Sequence, residues 1–228
     1  MNNKMKLLTL GVIFIVVLLS AAALIVQTFG NNNAEVDPIR VACVGDSITQ
    51  GTEYPADLQM LLGSRYNVNN FGKGGAMISL NSDNPYVDDS QFQDAKEFKP
   101  NIVIIMLGTN DAHMGLNQTN ASFIKDYLEL VSEFQGLASN PQVWIVMPPP
   151  IFSNEGGLNS TYFSQNVIPS IEQVGNKMDL PVIDVYTPLI VHAEYFPDGV
   201  HPNGEGAQLI ASIIYNAIIS QDNATSTS

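Results

Sequence analysis

The feature that most constrains the fold is a regular alternation between short apolar runs and longer segments with helical periodicity. Five runs have the length and composition of β-strands: residues 39–44, 66–71, 102–107, 143–147 and 181–185. Strands joined by helical crossovers pair in parallel. The third run is apolar throughout, which is typical of a central strand buried on both faces. The sequence therefore predicts an α/β fold with helices on both sides of a five-stranded parallel sheet.

Helical periodicity fills most of the gaps between these runs. Apolar residues recur every three or four positions over residues 123–134 and 167–178, which predicts one helix in each segment. A last helix follows the fifth run, with Asn203 as its N-cap. Residues 55–62 and 89–98 predict two shorter helices. We find no internal repeat and no second folded domain, so residues 38–220 are predicted to form one domain.

Polar and glycine residues follow the first three runs directly. Ser47 comes after the first, Gly75 after the second and Asn110 after the third. In open α/β sheets the ligand site lies beyond the carboxyl ends of the strands. The loop that carries His201 precedes the last helix and could meet them there. The sequence thus predicts one site built from both ends of the domain.

The residue types at this edge are those of serine hydrolases. A serine hydroxyl is a poor nucleophile unless a base takes its proton, and an imidazole serves best when a carboxylate fixes its tautomer. Ser47, His201 and Asp198 supply these three groups. The tetrahedral intermediate of ester hydrolysis also needs donors for its oxyanion. The glycine-rich segment 70–76 and the Asn110 side chain are suited to provide them.

Four segments in this order resemble the sequence blocks of the SGNH/GDSL hydrolase family: residues 45–49, 70–76, 108–111 and 198–201. The resemblance spans about residues 38–220. It implies a flavodoxin-like three-layer α/β/α sandwich, with Ser47 as nucleophile, His201 as general base and then general acid, and Asp198 orienting the imidazole. It also implies an oxyanion hole formed by the backbone amides of Ser47 and Gly75 and the side chain of Asn110.

Within that family, residues 54–59, 148–152 and 196–203 are similar to the sialate O-acetylesterase-like branch, near the carbohydrate acetylesterases. The resemblance implies a serine esterase that removes acyl groups, above all O-acetyl groups of carbohydrates, and needs no cofactor. Two alternatives stay open. One is a lysophospholipase or thioesterase of the GDSL lipase type, and the other is an inactive surface binding module on the same fold.

Further side chains are candidates for substrate or metal binding. Asp46, Lys73 and His113 lie beside the motif residues, and Lys73 could meet an anionic group of a substrate. His192 and Glu194 have the spacing of a pair of metal ligands. We see no third ligand at a suitable distance along the chain, so we expect no metal.

The charge balance limits the partners of the chain. It contains 22 acidic and 9 basic residues, and two of the basic residues, Lys4 and Lys6, precede an apolar segment. The remainder therefore has 22 acidic against 7 basic residues, a formal charge of −15. Such a surface repels phosphate backbones, so nucleic acid is not an expected partner; the sequence leaves the oligomeric state open. Cys43 is the only cysteine, which excludes an intrachain disulfide, and we expect its thiol to be buried.

The N-terminal region predicts export. Residues 1–6 are positively charged, and the 23 residues from 7 to 29 carry no charge, which is long enough for a transmembrane helix. The basic residues before this segment place the following domain outside the cytoplasm. We expect a membrane anchor, with a cleaved signal peptide and a secreted domain as the alternative. Residues 30–37 are a predicted linker and 221–228 a predicted flexible tail. Four glycosylation sequons begin at Asn117, Asn120, Asn159 and Asn223.

Overall fold

The computed structural model describes residue 2, residues 37–116 and residues 118–225, with no account of the side chains of residues 155 and 222–225. Apart from residue 2, the predicted basic segment lies outside these residues, as do the predicted anchor or signal peptide, nearly all of the predicted linker and the sequon at Asn117. The chain divides into two units, Met1–Asp37 and Pro38–Ser228, and the second holds every element below. Within the described ranges, no helix combines the length and the apolar character needed to cross a membrane.

Five parallel strands form one sheet in the order β2-β1-β3-β4-β5. The strands are β1 Ile39–Gly45, β2 Tyr66–Gly72, β3 Ile102–Met106, β4 Gln142–Met147 and β5 Val182–Asp184. All five predicted strands are confirmed, with ends that differ by one residue at most sites. This order is that of flavodoxin-like folds, as the resemblance implied. Gly45 pairs with Gly72 on one side and with Met106 on the other, so β1 ends between β2 and β3.

Eight helices accompany the sheet among the described residues. They are α1 Ser47–Gly51, α2 Tyr54–Leu62, α3 Ser90–Glu97, α4 Asn120–Gln135, α5 Ser160–Tyr162, α6 Ile168–Met178, α7 Tyr186–Leu189 and α8 Gly204–Thr225. A π-helical turn, Phe163–Val167, joins α5 to α6. Four 3-10 turns lie at Tyr86–Asp88, Asn110–Ala112, Glu155–Gly157 and Ala193–Tyr195.

Apolar side chains from helices cover both faces of the sheet. On one face, Phe92 of α3, Phe134 of α4 and Ile171 of α6 are buried against the strands. On the other face, Leu58 of α2 and Ile214 of α8 are buried. All five residues of β3 are buried, because helices lie on both sides of it. The predicted three-layer arrangement is therefore confirmed.

The long helices begin and end close to where the sequence predicts them. Asn203 accepts a hydrogen bond from the Gly206 N–H (3.1 Å), which confirms the predicted cap of α8. This helix runs to Thr225, five residues into the segment predicted to be a tail, because no glycine or proline follows Gly206. Cys43 is buried as expected, and burial raises the pKa of its thiol to about 12.

Candidate active site

Ser47 lies at the point where the central strand passes into a helix. β1 ends at Gly45, and α1 begins at Ser47. The Asp46 carboxylate caps α1 by accepting the Ile48 N–H (Oδ1 to N, 2.9 Å). A Cβ at Gly45 would collide with Thr49, so only glycine permits this close turn. The Ser47 side chain is thereby fixed at the carboxyl edge of the sheet.

His201 and Asp198 reach the same edge from the far end of the chain. The Ser47 Oγ and His201 Nε2 atoms are 2.8 Å apart, and His201 Nδ1 lies 2.6 Å from Asp198 Oδ2. The other carboxylate oxygen of Asp198 accepts the N–H groups of Val200 (2.8 Å) and His201 (2.7 Å). Gly199 makes this turn possible, because its φ is +78° and a Cβ would collide with Ser153. Three groups separated along the chain thus form one chain of hydrogen bonds.

The electrostatics of Asp198 fix the tautomer of the imidazole. Partial burial alone would raise the pKa of Asp198, but the hydrogen bonds from His201 and Val200 outweigh burial and lower it to about 2. An ionised carboxylate only accepts, so the His201 Nδ1 atom carries the proton. Nε2 is then free to accept the Ser47 hydroxyl proton. This is the protonation state that a general base requires.

Asn110 lies beside Ser47, on the loop after β3. Its Nδ2 atom donates to the Ala76 carbonyl (3.0 Å), which orients the amide and leaves its second N–H available. Gly75 has a φ of +73°, a conformation that favours glycine. Ser47, Asn110, Asp198 and His201 all line one cleft of about 310 Å³. Gly75 is not among the residues that line this cleft, so its role as a donor stays a prediction.

The other wall of the cleft comes from residues that the sequence analysis missed. Gly156, Leu158 and Val200 line it with His113. The loop after β4 is tied to the loop after β3 by hydrogen bonds from the Met114 N–H to the Gly157 carbonyl (2.8 Å) and from the Asn159 N–H to the Ala112 carbonyl (2.9 Å). The adjacent pair Gly156-Gly157, after a strand of a predicted parallel sheet, is the signal that could have identified this wall.

The three predicted substrate-binding residues lie in different surroundings. His113 lines the cleft. Lys73 instead forms an ion pair with Asp89 (2.6 Å) and does not line the cleft. Asp46 is 1% exposed and caps α1, so its carboxylate faces the protein interior. The geometry therefore favours a substrate contact for His113 alone.

The buried Asp46 carboxylate is electrostatically strained. Burial raises its pKa to about 6, although the Ile48 N–H, the Thr109 hydroxyl and the positive charge of His201 each lower it. The Asp46 Oδ2 and Thr109 Oγ1 atoms are near enough to interact electrostatically, yet neither has a hydrogen-bond partner of good geometry. The negative charge of the buried Asp46 and the positive charge of His201 therefore attract each other.

His192 and Glu194 form a local pair rather than part of this site. The Nδ1 atom of His192 lies 2.8 Å from the Glu194 carboxylate, and the ring stacks on Tyr195 with 4.7 Å between centroids. Among the described residues, no three His, Cys, Asp or Glu side chains are grouped so that they could hold a metal ion.

Comparison with known proteins adds to this geometry. The sequence profile of the GDSL-like lipase/acylhydrolase family matches residues 43–209. An acetylxylan esterase of Xylanibacter ruminicola is 31% identical over 208 residues, which cover 80% of this chain and 43% of that protein. The chain thus spans less than half the length of this relative.

Solved structures share the fold. A carbohydrate acetylesterase from Sinorhizobium meliloti has a TM-score of 0.66 and 20% identity, covering 80% of this chain and 99% of that one. A GDSL-like lipase from Bacteroides thetaiotaomicron has a TM-score of 0.64 and 20% identity, covering 86% of this chain and 97% of that one. At such identities the likeness concerns the fold alone. The profile match extends from β1 to α8 and includes Ser47, Asn110 and His201, and on that ground the chain belongs to the GDSL-like lipase/acylhydrolase family.

Proposed function

We propose that this protein is a serine esterase that removes O-acetyl groups from carbohydrates, with Ser47, His201 and Asp198 as its catalytic residues. The observation that carries the proposal is the hydrogen-bond chain from Ser47 Oγ to His201 Nε2 (2.8 Å) and from His201 Nδ1 to Asp198 Oδ2 (2.6 Å). Membership of an acylhydrolase family supports the reaction class, and the similarity to an acetylxylan esterase supports the acetyl and carbohydrate parts.

The proton path follows from these contacts. Ser47 Oγ attacks the ester carbonyl carbon while its proton passes to His201 Nε2. The ionised Asp198 stabilises the imidazolium that forms. Collapse of the tetrahedral intermediate breaks the bond to the sugar oxygen, which takes the proton from His201 and leaves as the alcohol. Water then attacks the acetyl-serine, again giving a proton to His201, and collapse releases acetic acid and restores the Ser47 hydroxyl.

Asn110 is suited to stabilise the oxyanion of both intermediates. Its amide is already oriented by the bond to the Ala76 carbonyl, so the second N–H needs no reorganisation during the reaction. The Ser47 N–H lies at the first turn of α1, where amides lack a partner within the helix. Together with the Gly75 N–H, these groups form the proposed oxyanion hole.

The size and lining of the cleft favour a short acyl group. The cleft measures about 310 Å³, and its apolar lining is limited to Leu158 and Val200. A lipase or thioesterase would need an apolar channel for a long chain next to the nucleophile. Another cleft, of about 850 Å³ between α3 and α4, contains none of the predicted site residues. The lining of the Ser47 cleft therefore favours the acetylesterase over the lipid alternative.

Replacement of Ser47 by alanine tests the proposal. We expect kcat for 4-nitrophenyl acetate to fall by about 10⁴-fold or more, as for other serine nucleophiles. Ser212→Ala, on the outer part of α8, is the matched control and should retain wild-type activity. A fluorophosphonate probe should add one adduct to the wild type, located on Ser47 by peptide mass spectrometry, and none to Ser47→Ala. A protein that neither turns over acetyl esters nor reacts with the probe would be the inactive binding module instead.

Acyl-chain profiling separates acetylesterase from lipase. We expect kcat/KM to be highest for the acetyl ester and to fall steeply toward the octanoyl ester. Rates that rise with chain length would refute the small acyl site.

We also propose that the domain acts outside the cytoplasm, attached by its N-terminal segment. The support is the order of charges in the sequence: Lys4 and Lys6, then the uncharged residues 7–29. Protease added to intact cells should digest the domain, and its full protection would overturn this proposal.

A further inference from the structure

A second cleft adjoins the cleft of Ser47. It measures about 380 Å³ and is lined by seven residues: Met77, Asn81, Ser82, Asp83, His113, Gly115 and Leu116. His113 lines both clefts. The two clefts are therefore neighbours that share the wall formed by His113.

Hydrogen bonds to two carboxylates fix the backbone of the loop that forms this second cleft. The buried Asp111 carboxylate accepts the N–H groups of Ile78 and Ser79 (both 2.9 Å), and Asp126 accepts the N–H of Leu80 (3.0 Å). Three successive backbone amides are thus fixed by two carboxylates. A preformed site loses less ordering entropy on binding than a mobile one.

The ring of His113 is also held in place. Its Nδ1 atom accepts the Gly115 N–H (3.2 Å), so the remaining proton lies on Nε2 when the ring is neutral. A Cβ at Gly157 would collide with this ring, so the glycine leaves the space that the imidazole occupies. His113 is an oriented group at the junction of the two clefts.

The polar side chains at the second cleft are available to a ligand. Asn81 and Asp83 are exposed, and within the described part of the chain neither side chain has a protein hydrogen-bond partner. The amide supplies two donors and an acceptor, and the carboxylate supplies acceptors. Met77 and Leu116 add apolar surface beside them. A few polar groups on a partly apolar surface match a sugar ring, which has hydroxyls at its rim and C–H groups on its faces.

The charges around both clefts disfavour an anionic ligand. None of the seven Lys and Arg side chains in the described residues lines either cleft, whereas Asp198 and Asp83 do. Lys73, which lies within the glycine-rich segment 70–76, is paired with Asp89. A sugar carboxylate in the second cleft would face Asp83 with no cation to offset it.

From these observations we infer that the cleft around Asn81 and Asp83 binds the adjoining residue of a neutral oligosaccharide or polysaccharide whose acetylated residue lies over Ser47. The inference rests on the proposed esterase function and narrows its substrate to uncharged glycans longer than one residue. Sialate esters, which the resemblance to the sialate O-acetylesterase-like branch implied, are anionic and do not fit this preference for uncharged glycans.

Binding without catalysis gives the first test. Ser47→Ala protein is titrated calorimetrically with unmodified xylotetraose, and the titration is repeated after adding Asn81→Ala and Asp83→Ala. We expect the paired substitutions to weaken binding about tenfold, for loss of two or three hydrogen bonds. Asn176→Ala and Asp94→Asn, exposed residues that line neither cleft, are the matched controls and should leave binding unchanged. Equal affinity in all variants, or no binding by any, overturns the subsite.

Activity gives the second test. We expect kcat/KM of the wild type to be at least about tenfold higher for mono-O-acetyl xylotetraose than for mono-O-acetyl xylose or 9-O-acetyl N-acetylneuraminic acid. In Asn81→Ala/Asp83→Ala the ratio of tetraose to 4-nitrophenyl acetate activity should fall about tenfold. An unchanged ratio, or preference for the sialate ester, refutes the subsite while the esterase stands. Absence of any ester turnover and of probe labelling instead refutes the esterase.

Discussion

Replacement of Asp46 by asparagine should make the protein more stable at pH 8 and less active. The carboxylate is buried, its Oδ2 atom lacks a hydrogen-bond partner, and burial raises its pKa from 3.8 to about 6. At about 1.4 kcal/mol for each pH unit, this difference corresponds to about 3 kcal/mol of unfavourable free energy for the ionised group in the folded state.

The pH range of this effect follows from the sign of the change. Below pH 3.8 the group is protonated in both the folded and the unfolded chain. Between pH 3.8 and about 6 the unfolded chain loses its proton first, so the free energy of unfolding falls as the pH rises. Above pH 6 the full cost is present. Burial also raises the pKa of Asp111 to about 7, and the charge of Asp46 adds to that rise. Removal of the Asp46 charge should therefore lower the pKa of Asp111 and reduce the cost of ionising this second buried acid.

The asparagine side chain keeps the hydrogen bond that caps α1 and removes the buried negative charge. Its oxygen can still cap α1 through the Ile48 N–H, since Asn and Asp cap equally well. Its NH₂ group can donate to Thr109 Oγ1, which has no hydrogen-bond partner in the wild type. Loss of the favourable interaction of a charge with the α1 N-terminus offsets up to about 1 kcal/mol. We expect a net gain of about 1–3 kcal/mol at pH 8.

Activity should move in the opposite direction. The positive charge of His201 lowers the pKa of Asp46, so the ionised Asp46 in turn stabilises the imidazolium of the transition state. Loss of about 1 kcal/mol of this attraction lowers kcat about fivefold.

Urea unfolding at pH 4 and pH 8 measures the effect on stability. The variant should gain about 1–3 kcal/mol at pH 8 and a much smaller amount at pH 4. Asp94→Asn, an exposed acid on α3, controls for loss of one negative charge and should change stability by less than about 0.5 kcal/mol at either pH. Destabilisation at pH 8, or an equal gain at both pH values, would refute the reasoning about Asp46.

Two further substitutions test the site. Asn110→Ala should lower kcat for 4-nitrophenyl acetate by about 10²–10³-fold with little change in KM, as expected for one oxyanion donor, and an unchanged kcat would remove Asn110 from the oxyanion hole. Gly157→Ala should lower the melting temperature and raise KM for acetylated xylotetraose, because its Cβ would collide with His113. Gly63→Ala is the matched control: its φ of +71° carries a similar backbone cost, but a Cβ there meets nothing within 4 Å and the residue lines neither cleft. Equal behaviour of both glycine variants would contradict the proposed packing of His113.

The central part of the fold could be predicted from sequence because its signals are local. The strand β3 is apolar throughout, β2 intersperses apolar residues with asparagines, and each long helix repeats its apolar residues over three or more turns. The short helices α1 and α7 were not predicted, since four or five residues span about one turn and show no periodicity. The extension of α8 to Thr225 was missed for a related reason: its last turns carry polar residues, which the sequence analysis assigned to a tail.

The site could be predicted only where a motif marks it. Ser47, Asp198 and His201 lie in short segments with recognisable order, and their contacts follow from the parallel topology. The place of Leu158 in the cleft wall depends on contacts between loops that are distant in sequence. The same is true of the ion pair between Lys73 and Asp89. Nothing near Lys73 in the sequence distinguishes Asp89 from the other acids of residues 83–94. Such pairings require the three-dimensional arrangement.

The hydrogen bond between Ser47 and His201 joins residues 154 positions apart, and this separation bears on the synthesis of the protein. Within residues 38–220, translation produces Ser47 early and His201 late. In the proposed mechanism, a chain that ends before residue 201 has no base for Ser47, so an incomplete product would not hydrolyse esters. Ester hydrolysis therefore becomes possible only after residues 38–201 have been made and have folded.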